Sequence, residues 1–352
     1  MPDIVSEWIC RIQPVEREAG EAAHAYLDTL TKPPGSLGTL ESLAIQLSEI
    51  TGHTRFEPSP PGVVVFAADH GVAAEAVSAF PSEVTAQMVT NFAQGGAAIN
   101  VFARQVRARL EVVDVGVGSD LHAPGVVDAK VRRGTANMVH QDAMTREEAS
   151  TAISAGIEAV TRAAEAGCKT LIVGEMGIAN TTASSAMLAV LTGQPVADVV
   201  GLGTGITSAQ QMHKVAVIER ALAARQPDAC DPLGVLSSVG GLEIAAMTGA
   251  YLASAAYRLP IIVDGFIATV AALTVCRLCP AVRGYLIFGH RSQEAGHQVA
   301  LDALQAKPLL DMQMRLGEGT GAVLAFPLLR AASAMMVEMA TFSDAGVSNA
   351  SG

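Results

Sequence analysis

Aromatic side chains are scarce in this chain: one Trp, four Tyr and nine Phe make up 4% of 352 residues. A core must then be built from Ala, Val, Leu, Ile and Met, packed closely with the help of 33 glycines. Charge is also sparse, at 16% of residues against 50% apolar, so much of the chain is expected to be interior or subunit interface. Basic charge is the scarcer sign, and the formal net charge is −11. That argues against a nucleic-acid binder, which would carry a basic footprint, and against a polybasic membrane contact. Cysteines number five and are scattered (Cys10, Cys168, Cys230, Cys276, Cys279). An odd count without a framework points to reduced thiols and a cytoplasmic protein. Cys276 and Cys279 have CxxC spacing, but no second pair or nearby His accompanies them, which favours buried thiols over a metal or redox site. The chain opens with Asp3, Glu7 and Arg11 and lacks the apolar core of a signal peptide. Its longest uncharged run, Met176–Ala197, is interspersed with Thr, Ser, Asn, Gly, Gln and Pro, unlike a transmembrane span.

Several chemical motifs are missing as well. There is no Walker A loop, no GxGxxG, no GxSxG, and no HxxxH or HxE pattern. A dinucleotide site of the usual kind, serine-hydrolase chemistry and a helical metal site are therefore disfavoured. His290 and His297, seven apart, share a helical face but are too few for a metal.

What is present is a change of texture. Residues 4–50 read as helical, interrupted at Pro14 and by the rigid turn Thr31-Lys32-Pro33-Pro34-Gly35-Ser36-Leu37-Gly38. From residue 61, short β-branched runs alternate with Ala-rich helical stretches, which indicates βαβ units and a parallel sheet. Strands are expected at Val63–Ala67, Leu110–Val115, Thr170–Val173, Ile261–Val263 and Tyr285–Phe288. Helices are expected over 83–107, 146–166, 181–192, 207–225, 241–257, 266–277 and 292–305. Thr145-Arg146-Glu147-Glu148 has the form of a capping box. The expected organisation is an α/β nucleotide-binding domain over 60–310, with a small helical domain from 1–55 and 320–345.

Polar residues gather where the strands end: Asp69-His70-Gly71, Asp114-Val115-Gly116, Gly174-Glu175-Met176-Gly177, Asp264-Gly265 and Gly289-His290-Arg291-Ser292. Ligands of open α/β sheets bind outside the carboxyl ends of the strands. The loop Gly174–Thr182 opens a helix and suits an anion, as does the loop containing Gly203 and Thr204. Lys214, two turns into the next helix, is either a phosphate contact or a solvent-facing lysine. In Arg315-Leu316-Gly317-Glu318-Gly319-Thr320-Gly321-Ala322 one carboxylate stands between glycines, before a long apolar segment. Thr320 is a candidate cap of that helix. Glu318 is either a solvated group in a capped turn or a shielded general base.

Together these segments resemble the nicotinate-nucleotide:dimethylbenzimidazole phosphoribosyltransferase (CobT) family. The matching stretches are Thr31–Gly38, Ala68–Val72, Gly95–Asn100, Gly134–Met138, Gly174–Thr182, Gly201–Ile206, Asp264–Phe266, Gly289–Ser292 and Arg315–Ala322. The resemblance implies a homodimer with a Rossmann-like large domain and a small helical domain built from both chain ends. It also implies a reaction without a cofactor or metal, in which nicotinate mononucleotide and 5,6-dimethylbenzimidazole give α-ribazole 5′-phosphate and nicotinate. By residue-to-residue matching, Glu318 is the general base and Glu175 a second acid. Gly177, Asn180, Gly203, Thr204, Lys214 and Ser292 are phosphate or nucleotide contacts, and Asp264 is a nicotinate or ribose neighbour. Phe80, Gln87, Met88 and Leu316 form the slot for the acceptor base. Two departures stand out. Position 179 is Ala where Gly is expected, and Phe80 and Met88 fall where some members carry polar residues. The acceptor is left open among benzimidazoles, purines and phenolics.

Overall fold

The computed structural model describes residues 4–121, 123–201 and 207–348. The chain begins with three helices, α1 (Ile4–Ile9), α2 (Arg17–Leu27) and α3 (Thr39–Thr51). Pro14 lies between the first two, where it interrupts no helical hydrogen bond. Strand β1 (Pro61–Ala68) then enters the core, buried along its whole length. It is followed by α4 (Glu83–Gln94), α5 (Ala98–Gln105), β2 (Arg109–Gly116), β3 (Val126–Asp128) and α6 (Arg146–Glu165). Next come β4 (Thr170–Met176), α7 (Asn180–Thr192), α8 (Val196–Val199), α9 (Ser208–Arg225), α10 (Pro232–Val239) and α11 (Leu242–Ala256). The chain continues with β5 (Ile261–Val263), α12 (Phe266–Leu278), β6 (Leu286–Phe288), α13 (Ala295–Ala303), α14 (Thr320–Glu338) and α15 (Phe342–Ala345).

The six strands form one sheet in the order β3-β2-β1-β4-β5-β6, and every pairing is parallel. This is the Rossmann-type order, which reverses direction between β1 and β4. The register sets Val65 of β1 between Val112 of β2 and Gly174 of β4. Helices cover the sheet on both sides, so its strands read as apolar runs rather than alternations. The expected α/β class and all five expected strands are present.

Helix α8 falls outside every expected helix, and three further details differ from the expectation. The helical stretch 83–107 is two helices, because Gly95 adopts a left-handed φ of 79° and ends α4. Strand β3 was not anticipated, being three residues long and only partly buried at the sheet edge. Helix α10 was also missed, although Asp231 caps it by accepting from Gly234 N. The capping box at α6 is present: Thr145 Oγ1 accepts from Glu148 N, and Glu148 Oε2 accepts from Thr145 N.

The chain ends meet. Leu30 bridges Thr341, Thr31 N donates to Ala340 O, and α14 packs against α3. The start of α14 also reaches the sheet, touching β4, β5 and α5. Among the described residues α14 alone is long and apolar enough to cross a membrane, yet most of it is buried in this fold.

Candidate active site

A cavity of about 360 Å³ opens over the carboxyl ends of β1, β4, β5 and β6. Its walls come from four places: residues 77–80 with Val84 and Met88 of α4, the turn 175–181, the segments after β5 and β6, and residues 315–318. Lys214 reaches it from α9. The fold's switch point between β1 and β4 lies at the same end of the sheet, where such crevices form.

Glu318 stands on the cavity wall, 5% exposed. Its backbone is left-handed, with φ of 64°, between Gly317 at 94° and Gly319 at 90°. Three such residues in a row turn the chain sharply, and glycine on both sides leaves Glu318 as the one strained residue. The turn presses on β4, since a Cβ at Gly174 would overlap the Glu318 carbonyl. Glu318 Oε2 accepts from Ile99 N at 3.2 Å, in the first turn of α5. Burial raises its pKa, opposed by that hydrogen bond and assisted by the Asp264 charge. A raised carboxylate with a fixed orientation is suited to take a proton near neutral pH.

Glu175, at the end of β4, is the second acid on the wall. A Cβ at Gly317 would overlap its Oε1, so the two acid-bearing loops touch. Its Oε2 accepts a short hydrogen bond from Asn180 Nδ2. Burial, then the charges of Glu243 and Asp264, push its pKa up to about 8, and Glu318 adds to this. Its surroundings therefore favour the protonated form far more than water does.

Lys214 is 2% exposed, and its Nζ donates to Thr181 Oγ1 at 2.8 Å. Burial lowers its pKa to about 8, with Glu294 opposing. A buried ammonium beside the first turn of α7 is a place for an anion. Gly177, Asn180, Ser292, Phe80, Met88 and Leu316 also line the cavity. Gly203 and Thr204 lie outside the described residues.

Three expectations need correction. Gln87 is exposed and is not on the cavity wall. Val84 and Met88 lie one turn apart on the lining face, and Gln87 is rotated from Met88 by about 100°. Asp264 lies behind the wall: its carboxylate accepts from Gly319 N at 3.1 Å and Ala322 N at 2.9 Å, bracing the Glu318 turn and the start of α14. Thr320 does not cap α14. Gly319 occupies the cap position, and Thr320 Oγ1 donates to Gly317 O.

The five polar strand ends also divide. Glu175 and His290 reach the wall. Asp69 accepts from Gly118 N, and Asp114 accepts from Gly116 N and Val117 N, so both hold turns. His70 is fully buried with Glu243, its Nε2 2.7 Å from Glu243 Oε1. Burial disfavours its cation, but the Glu243 carboxylate outweighs this and raises its pKa. Glu243 was not anticipated, although a lone acid in the apolar run of α11 is a signal for a buried partner. His297 is no metal ligand. Its Nδ1 accepts from Ser292 N, and its Nε2 lies 3.0 Å from Thr269 Oγ1. Burial holds its pKa down at about 4, so it braces the Ser292 loop as a neutral ring. Among the described residues no cluster of His, Cys, Asp and Glu could hold a metal.

Comparison with known proteins agrees with this geometry. Residues 12–347 match the family model described as phosphoribosyltransferase. A Halalkalibacterium halodurans protein named nicotinate-nucleotide–dimethylbenzimidazole phosphoribosyltransferase is 52% identical over 346 residues, 98% of this chain and 97% of its own. A protein of the same name from Cupriavidus necator is 53% identical over 341 residues, 97% of this chain and 98% of its own. The crystal structure of CobT from Thermus thermophilus superposes with a TM-score of 0.91 at 48% identity, covering 94% of this chain and 99% of that one. With a cavity of this construction and a match along nearly its whole length, the chain belongs to the nicotinate-nucleotide–dimethylbenzimidazole phosphoribosyltransferase family.

Proposed function

We propose that this cavity transfers phosphoribosyl from nicotinate mononucleotide to 5,6-dimethylbenzimidazole, giving α-ribazole 5′-phosphate and nicotinate. The observation that carries the reading is Glu318, a shielded carboxylate held by Ile99 N–H at the edge of an apolar slot. Phe80, Val84, Met88 and Leu316 offer the slot walls for a flat alkylated ring. On the same wall, Lys214, Thr181, Asn180 and Ser292 offer polar groups for the nucleotide phosphate and ribose.

One benzimidazole nitrogen attacks the ribose anomeric carbon as the bond from that carbon to the pyridinium nitrogen breaks. The breaking pair returns to the ring, so nicotinate leaves without acid help. The other benzimidazole nitrogen gives its proton to Glu318. Attack from the opposite face inverts a β-nucleotide into an α-riboside. Glu175 orients the nucleotide, and its ionised form is favoured when a cationic ring enters beside it. No cofactor enters this scheme. The homodimeric state and the cytoplasmic location implied by the resemblance belong to the same proposal.

Mixing the protein with nicotinate mononucleotide and a panel of bases, with products detected by mass spectrometry, tests the reading. α-Ribazole 5′-phosphate should form, and its absence would sink the assignment. Glu318→Gln should lower kcat at least about a hundredfold, in line with loss of a general base, with little change in nucleotide affinity. Because Glu318 titrates above the ordinary carboxylate range, kcat should fall on its acid side at a pH higher than an exposed glutamate would give.

A further inference from the structure

We propose that Thr85 is a positioning residue that ties the acceptor slot to the nucleotide-binding turn, setting acceptor affinity and selectivity without touching either substrate. The inference rests on the division of the cavity proposed above. Helix α4 presents Val84 and Met88 to the cavity, and Phe80 lies just ahead of it. Thr85 sits between those lining residues in sequence but is fully buried behind the wall. Its Oγ1 accepts a hydrogen bond from Ile178 N at 3.1 Å.

Ile178 follows Gly177 and stands two residues before Asn180, whose amide holds Glu175. Backbone N–H groups at such a strand-to-helix turn are ordinarily free for an anion. This one is directed at α4 instead. The next residue, Ala179, has a left-handed φ of 74°, a conformation that surrounding contacts must hold in place. Helix α5 acts in parallel, because its Ile99 N–H holds Glu318. The two consecutive helices after β1 thus each hold one acid-bearing loop, α4 through Thr85 and α5 through Ile99. Because Val84 and Met88 of α4 wall the slot, the Thr85 bond sets their distance from the turn that carries Glu175.

Thr85→Val keeps the shape and removes the acceptor, leaving a buried N–H without a partner. A penalty of that kind corresponds to about a tenfold change. KM for 5,6-dimethylbenzimidazole should rise about tenfold, and the kcat/KM preference over unsubstituted benzimidazole should shrink. Thr85→Ser retains the hydroxyl and should keep wild-type values for both. If Thr85→Val only lowers the melting temperature, with KM and preference unchanged, the proposal is overturned. A Thr85→Ser variant as impaired as Thr85→Val overturns it too. Should Thr85→Val not fold, hydrogen exchange of the wild-type protein decides. Dimethylbenzimidazole should slow exchange of the Ile178 amide about tenfold by the same arithmetic, and unchanged exchange rejects the tie. A wild-type protein that makes no riboside from any base removes the transfer reading itself, and that result appears before any substitution is made.

Discussion

Replacing Lys214 by Met should make the empty protein more stable while weakening nucleotide binding. Lys214 is buried, with one hydrogen bond to Thr181, and the Glu294 charge favours its cation. Burial brings its pKa from 10.5 down to about 8. In an unfolded chain it would titrate near about 10.4. That gap, at about 1.36 kcal/mol per pH unit, is about 3 kcal/mol of destabilisation carried by the charged form. Below pH 8 both states hold the proton and the penalty is complete. Between pH 8 and the unfolded value only the unfolded chain holds it, so the penalty is released and stability rises with pH. The variant also loses the hydrogen bond to Thr181, which subtracts about 1 kcal/mol. Lys214→Met should therefore gain about 2 kcal/mol at pH 7, and the gain should vanish by about pH 10. Denaturant unfolding without ligand at pH 7 and pH 9.5 measures both values, and the KM for nicotinate mononucleotide should rise in the variant. A wild-type stability that stays flat or falls between pH 8 and 10, with Lys214→Met destabilised at pH 7, would refute the buried-charge reasoning.

Two backbone substitutions test the turns that carry the acids. Gly174→Ala removes no functional group, yet its Cβ overlaps the Glu318 backbone. Overpacking of this kind costs about 1–3 kcal/mol, and displacement of Glu318 should lower kcat about a hundredfold, as misplacement of a reacting group does; near-normal kcat would mean the Glu318 turn is not fixed by β4. Ala179→Gly relieves a left-handed alanine, worth about 1 kcal/mol, but Gly gives back about as much through unfolded-chain entropy. Thermal unfolding should show little net change, and a large shift in nucleotide KM would show that the alanine tunes this turn.

The sheet was legible because its strands are continuous β-branched runs separated by helical texture, so β1, β2, β4, β5 and β6 were each located. The edge strand β3 escaped because three half-buried residues leave too short a signal. The break at Gly95 was visible as a Gly-Gly pair, yet the apolar pattern continued across it and suggested one helix. In the site, Glu318 and Glu175 were legible because glycines flank them, and glycine there has a steric reason: Gly174 and Gly317 make room for the opposing loop. The roles of Asp69, Asp114 and Asp264 were not. Each carboxylate looks equally available in sequence, whereas in the fold each is taken up by backbone N–H groups. For Asp264 and Asp69 those partners lie 55 and 49 residues away, beyond any local pattern.

The distribution of buried charge carries a further consequence for turnover. Glu175, Glu243, Asp264 and Glu318 are all buried, Glu175 feels the charges of the other three, and His70 is paired with Glu243. Lys214 is a buried cation on the same cavity wall. Nicotinate mononucleotide has the complementary shape, with a cationic ring at one end and an anionic phosphate at the other. Without it, the acids raise one another's proton affinity, as Glu175 shows. In the proposed reaction the pyridinium would supply the missing counter-charge, and as the glycosidic bond breaks that charge would pass to the ribosyl carbon. Electrostatic groups fixed before the reaction need no reorganisation during it. The departing nicotinate, by contrast, has a neutral ring and an anionic carboxylate, so the acids that held the substrate now disfavour the product. Under the proposed transfer the same carboxylates favour entry of the cationic ring, stabilise the positive charge of the transition state and disfavour the anionic product.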